Sequence, residues 1–235
     1  MSQSTNKPLW IQDRDTVIEQ SVDAQWRDSI PPDYTRTNNF LKQESQYNHL
    51  EGSLEGIVQN LVRAFEMEAS FKTNPQQWVS IVNEKFRMST NGGPAYTAQD
   101  IVEVGTYNLF LTETEHYNPK EEDFESSANL FITAFPDGFV WEVIEVFSGP
   151  PNVTFKWRHW GTFRGAYKGY EPTGETIEVV GMSVAHVSED LKIESVEHFF
   201  DTNAFLEKLT GGKKLADGEK LETGCPFHSE TSEKP

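Results

Sequence analysis

The sequence predicts an α+β fold in which a curved antiparallel sheet is covered on one face by helices that precede it in the chain. Three observations carry that expectation. Apolar residues recur at helical spacing in the first half, at Leu54, Ile57, Val58, Leu61, Val62 and Phe65. From about residue 130 the apolar period changes to two. The period-two segments are separated by short turn clusters with no helical stretch between them, the order expected of a meander rather than of parallel crossover units.

Each element has a local reason. Residues 1–53 contain a Pro31-Pro32 turn, little helical patterning and four isolated aromatics, Trp10, Trp26, Tyr34 and Phe40. They predict an extended arm that docks through those anchors. Ser53 is a natural cap for the helix that starts at Leu54. Asn74-Pro75 predicts a short second helix through Trp78 to Val82, with Asn as cap and Pro in the first turn. Asn91-Gly92-Gly93-Pro94 is a loop. Thr97, followed three residues later by Asp100, opens a third helix with Ile101, Val104, Asn108 and Leu111 on one face. Residues 113–125 hold six acids and one Lys and read as a polar connection. Strands are expected at 130–135, 139–147, 153–161, 176–187 and 193–201, and a last helix, capped by Asp201 or Thr202, buries Phe205, Leu206 and Leu209. The chain thus divides into an arm (1–53), an α+β domain (54–210) and a flexible polar tail (211–235).

Composition narrows the function. The 235 residues carry 20 basic and 37 acidic side chains, a formal charge of −17. Such a surface repels phosphate backbones and anionic headgroups, so neither nucleic acid nor a membrane is expected as partner. No apolar run approaches the ~20 residues of a spanning helix. The polar N-terminus shows no secretory h-region, and the one cysteine, Cys225, has no internal partner; both point to a cytoplasmic location. No zinc-type Cys/His cluster, phosphate-binding Gly loop or Ser-His-Asp motif is present, and no cofactor or metal is expected. The Cys225-Pro226 pair with His228 nearby leaves haem ligation as a minor alternative to a free thiol in the tail.

Two sets of residues carry a resemblance. Phe135-Pro136-Asp137, the run from Phe155 through Trp157, Arg158, His159, Trp160 and Gly161 to Gly165, the segment 168–174, Gly181, Lys192-Ile193 and His198-Phe199-Phe200-Asp201 follow in an order similar to that of the SnoaL-like polyketide cyclases. Their fold is the α+β cone shared with nuclear transport factor 2. Pro31-Pro32-Asp33-Tyr34, the segments 51–55 and 65–68, Ser89 to Gly92, Gly105 to Asn108, Arg158 to Gly161 and Gly224-Cys225-Pro226 resemble the plant-type pathogen-related protein branch of that superfamily. The resemblance spans nearly the whole chain. It implies a pocket between the curved sheet and its helices that holds a small apolar molecule, or, alternatively, cofactor-free cyclase, isomerase or dehydratase chemistry.

The resemblance also locates candidate residues. In the cyclases an Asp on the last strand acts as acid/base, supported by a His on the strand before it. Here the Asp position falls on His198, and the supporting position on Ala185, with His186 pointing to the opposite face. An ordinary imidazole titrates near ~6.5, so His198 is a candidate proton carrier, the alternative being a buried structural histidine. Alternation along 153–161 puts His159 on the apolar, inward face beside Trp157, and Lys156, Arg158 and Trp160 on the solvent side. Were His159 and His198 to enter one cavity, they would divide acid and base roles. Glu142 and Glu145 lie on opposite faces of their strand, with Glu142 closer to the inward register. Asn91, Tyr107 and Trp141 complete the candidate ligand-binding set with Trp157 and Glu142. Val180, Met182 and Val184 form an apolar outer face. Within the resemblance, this implies a homodimer through the sheet, with the arm as the competing cover.

Overall fold

The computed structural model describes residues 7–215. After a one-turn 3-10 helix at Leu9–Ile11 come α1 (Arg14–Gln20), α2 (Thr35–Glu44) and α3 (Leu54–Phe71). Strand β1 (Arg87–Thr90) precedes α4 (Ala98–Val104), α5 (Thr106–Phe110) and α6 (Phe124–Ala134). The remainder is β2 (Val140–Ser148), β3 (Asn152–Thr162), β4 (Thr176–Val187), β5 (Ile193–Phe199) and α7 (Thr202–Thr210). The strands form one unclosed sheet in the order β1-β5-β4-β3-β2. β2 to β5 are antiparallel to their neighbours, and β1 adds in parallel beside β5. Register irregularities interrupt β2 and the pairing of β4 with β5 near the end of β4, and such bulges bend a strand.

Helix α3 follows from its sequence and does two jobs. Ser53 caps it, accepting from the Gly56 amide. Its apolar stripe enters or packs against the main core. Its polar flank covers the outermost strand: Arg63 donates from Nε and Nη2 to the Trp141 carbonyl (3.3 and 2.9 Å), and Gln59 Oε1 accepts from the Val143 amide at 3.1 Å. The edge of β2 is thereby covered at Trp141 and Val143 from within the chain.

Four expectations are corrected. Residues 130–135 are the end of helix α6, not a strand; Asp123 and Ser126 form a capping box seven residues upstream that fixes the helix start. The helix after Asn74 is a single 3-10 turn, Pro75–Gln77. The third helix breaks in two at Gly105, whose φ of +94° a β-carbon would strain and where that carbon would meet Phe124 Cα at 3.1 Å. The arm is not extended: it folds as α1 and α2. Val17 packs with Ala64 and Met67 of α3, Trp26 and Tyr34 join that cluster, and Phe40 and Leu41 pack on Val140 and Trp160.

The last contact explains a further correction. Arg158 and Trp160 do point to the outer sheet face, but that face is buried beneath the arm. Arg158 lies 3.7 Å from the Trp160 ring centroid, pairs with Glu142 and Glu178, and donates to the Glu44 carbonyl at 2.8 Å. Glu142 also accepts from the backbone amides of Gln46 and Tyr47. Taking the two charges out of water is offset by these hydrogen bonds, so the pair ties the arm to the sheet. Beyond the arm, Val180, Met182, Val184 and Phe199 remain 40–44% exposed on β4 and β5.

Candidate functional site

The inner face of the sheet carries its polar groups at two separate places. One lies on β5. The His198 ring is buried, with Phe110 of α5 4.7 Å away, centroid to centroid. Its Nδ1 sits 2.8 Å from Ser183 Oγ, and Ser183 in turn accepts from Trp157 Nε1 at 2.8 Å. Register explains why these three meet: Ser183 pairs with Phe155 on one side and with His198 on the other, so β4 lies between the indole and the imidazole. Gly181 makes room for the indole, since a β-carbon there would fall 2.3 Å from Trp157 Cζ2. His198 Nε2 is buried and has no partner among the described residues, and the same holds for Oγ1 of Thr90, its register partner on β1. Burial alone pushes the His198 pKa down from 6.5 to about 3. At neutral pH this ring is an uncharged hydrogen-bonding group.

The other place is the junction of β3 and α3. His159 stacks on Phe139 (centroids 4.1 Å apart) and its Nε2 lies 3.4 Å from Glu66 Oε1. Both side chains reach solvent, His159 22% and Glu66 38% exposed. Burial raises the Glu66 carboxyl, but the hydrogen bond and charge of His159 together with Arg14 and Arg63 outweigh it and hold the group below the usual value. Tyr107 stacks on Phe131 at 4.0 Å, and burial, reinforced by Glu66, pushes its phenol up, so it stays protonated.

The two histidines do not share a point. His159 is in register with Val179 and His198 with Ser183, four residues apart along β4 and two strands apart across it. At ~3.4 Å per residue and ~4.8 Å per strand the separation is roughly 16 Å. The expectation of one cavity with two imidazoles is therefore corrected. Trp157 and Trp141 are buried on the inner face, Trp141 edge-on to Phe155. Ala185 is buried and His186 exposed, as alternation requires. Glu142 is on the arm side rather than the cone side, and Glu145 is exposed.

Asn91 is also corrected. Its side chain is spent on backbone, donating to the Phe200 carbonyl at 2.9 Å and accepting from the Phe200 amide at 3.1 Å, which extends the β1–β5 ladder by one rung. Sequence reasoning missed Glu66, Ser183 and Thr90. Nothing in the sequence sets Ser183 opposite His198.

The interior also carries stacked rings, Phe131 and Phe139 each against Phe205 and Phe135 against Phe139. Two concavities, of about 590 and 390 Å³, open on the outside of the molecule, one at Pro150, Pro151 and His186, the other at His116, Tyr117 and Tyr170. Neither includes His159 or His198. Among the described residues no group of three or more His, Cys, Asp or Glu is placed to hold a metal ion, and no helix is long and apolar enough to cross a membrane. Cys225 and His228, the basis of the haem alternative, lie outside the described residues.

Residues 106–209 match the model of the SnoaL-like polyketide cyclase family. Over 209 residues the chain is 39% identical to the "Pathogen-related protein" of barley, Hordeum vulgare, covering 86% of this chain and 87% of that one. Among solved structures, an NTF2-like protein of Burkholderia thailandensis is similar with 17% identity and a TM-score of 0.36, over 57% of this chain and 84% of its own. A Jannaschia protein described as a SnoaL-like polyketide cyclase is similar with 13% identity and a TM-score of 0.38, over 70% of this chain and all of its own.

Proposed function

This chain belongs to the SnoaL-like family, in the branch of the barley pathogen-related protein, and from that premise we propose that its cone holds a small, largely apolar molecule anchored by His198. The observation that supports this most directly is the unpartnered Nε2 of a buried, uncharged imidazole in an otherwise aromatic interior. A buried polar atom without a partner costs about 1–3 kcal/mol, and a bound molecule with one polar atom relieves that cost. Phe110, half-buried near the end of a five-residue helix, covers the ring and is the side chain a ligand displaces.

Native mass spectrometry of the full chain purified from its own host tests the reading. The expected result is a non-covalent adduct that dissociates on activation and is lost in His198→Ala. A bare chain that also shows no saturable binding of the neutral fluorophore N-phenyl-1-naphthylamine overturns it. The same spectrum reads assembly. The exposed stripe of Val180, Met182, Val184 and Phe199 favours a homodimer through the sheet, and a monomer mass rejects that part of the proposal.

The second reading is cofactor-free proton transfer of the isomerase or lyase type. His198, uncharged and remote from His159, is poorly suited to it. The imidazole–carboxylate contact between His159 and Glu66 is the arrangement that favours it, because a carboxylate orients an imidazole for proton transfer.

A further inference from the structure

The relay behind His198 has a direction, and the direction restricts what the ring can bind. An indole N–H only donates, so Ser183 Oγ is an acceptor toward Trp157. The Ser183 hydroxyl then has one proton to give, and His198 Nδ1, 2.8 Å away, is its only other partner among the described residues. Nδ1 is therefore the acceptor, and in a neutral ring the proton resides on Nε2. The opposite tautomer would leave two groups unmet, the hydroxyl proton and the Nε2 lone pair, instead of one.

Charge is restricted as well. His198 is surrounded by Phe110, Ser183 and the Thr90 position, and its pKa is displaced by burial with no contribution from any charged group. A carboxylate at Nε2 would lose its hydration and gain only neutral donors, which is unfavourable. A cation would meet a donor.

We infer that the His198 end of the cone selects a neutral hydrogen-bond acceptor, a ketone, aldehyde or ester carbonyl, and that Ser183 and Trp157 are the positioning residues that impose this choice. The inference rests on the ligand-holding reading above. Thr90, the register partner of His198 on β1, has a buried hydroxyl with no partner among the described residues and offers a second neutral contact to the same end of the molecule.

Three planar probes of nearly one shape separate the possibilities: acetophenone carries a carbonyl, α-methylstyrene replaces its oxygen by CH₂, and benzoate adds a charge. They are titrated into the full ¹⁵N-histidine-labelled chain at pH 7, with the tautomer read from long-range ¹H–¹⁵N couplings. The expected result is a proton on Nε2 in the free protein, with that resonance moved by acetophenone. Acetophenone should bind about fivefold tighter than α-methylstyrene, the scale of one neutral hydrogen bond, and benzoate at least about tenfold weaker than acetophenone. Ser183→Ala should abolish the tautomer preference and the acetophenone advantage while leaving α-methylstyrene unchanged, and Ser183→Thr should keep both.

A proton on Nδ1, equal binding of acetophenone and α-methylstyrene, or benzoate binding as well as acetophenone would overturn the inference while the cone remains a ligand holder. Failure of all three probes to bind would overturn this inference, and the ligand-holding reading falls with it where the native chain is also bare and N-phenyl-1-naphthylamine does not bind. The wild-type tautomer and probe order decide the matter even where Ser183→Ala fails to fold.

Discussion

His198 and His159 are the same residue type on the same face of the same sheet, and each packs against a Phe ring, yet they differ in exposure and in polar partner. His198 is buried, packs against the Phe110 ring and touches one hydroxyl. His159 is partly exposed and touches a carboxylate through Nε2, while its Nδ1 is buried without a partner among the described residues. The difference arises from what each strand faces. β5 lies between β1 and β4 with α5 above it, whereas His159 sits near the β2 edge, where α3 brings a charged flank against the sheet. A histidine in a cone is therefore not by itself a catalytic signal. Burial keeps one uncharged, and the other sits against a carboxylate.

Acid should break the comparison most sharply. The folded pKa of His198, about 3, lies below its ordinary 6.5, so between those values the unfolded chain binds the extra proton. Its contribution to stability is complete above ~6.5 and is lost as pH falls through that window. At ~1.4 kcal/mol per unit this amounts to roughly 3–5 kcal/mol. Denaturant unfolding from pH 7 to pH 3.5 should show that decline in the wild type and a flatter curve in His198→Gln. Equal slopes would mean that His198 is not the buried neutral group described.

Next in size is Gly181→Ala. The new methyl would overlap the Trp157 indole and approach the Phe199 carbonyl at 2.8 Å, so the indole must leave its place over Ser183. A loss of about 2–3 kcal/mol is expected from such overpacking, together with loss of the Nε2–H tautomer at His198 and no change at His159. A smaller effect is expected from Phe110→Ala, about 1–2 kcal/mol because the side chain is only half-buried. Acetophenone affinity should rise severalfold as the ring covering His198 is removed. Weaker binding would show that Phe110 forms the site rather than closes it.

These sites were legible in the sequence to different degrees. The strand at 176–187 and the start of α3 at Ser53 follow from alternation and a cap, which are local. His159 and Trp157 were placed inward by the same alternation. The strand expected at 130–135 failed because Leu130, Phe131 and Ile132 form an apolar run too short to distinguish strand from helix, while the deciding cap lay at Asp123. Strand β1 has four residues and exists through pairing with β5, more than a hundred residues away. Arg158 read as solvent-facing because its cover, the arm, is contributed from far upstream. Glu66 was one acid among 37, and only the packing of α3 against the sheet sets it beside His159.

The smallest expected effect tests the open end of the cone. The Glu66–His159 pair is partly hydrated, so its Coulomb attraction is screened and its net worth is under about 1 kcal/mol. The Glu66 carboxyl is held below its ordinary value, so whatever it contributes is present above the ordinary carboxylate range and is lost as pH falls through the lowered value. Glu66→Gln should therefore cost at most about 0.5–1 kcal/mol at pH 6, and 1 M NaCl, with a screening length of ~3 Å, should remove most of that cost. The His198→Gln difference should not respond to salt, because no ion pair underlies it. A double-mutant cycle of Glu66→Gln with His159→Gln, at low and high salt, isolates the pair from the packing of His159 on Phe139. Coupling that survives 1 M NaCl would mean the pair is shielded from water as His198 is, and the division of the cone into a dry end and a wet end would no longer hold.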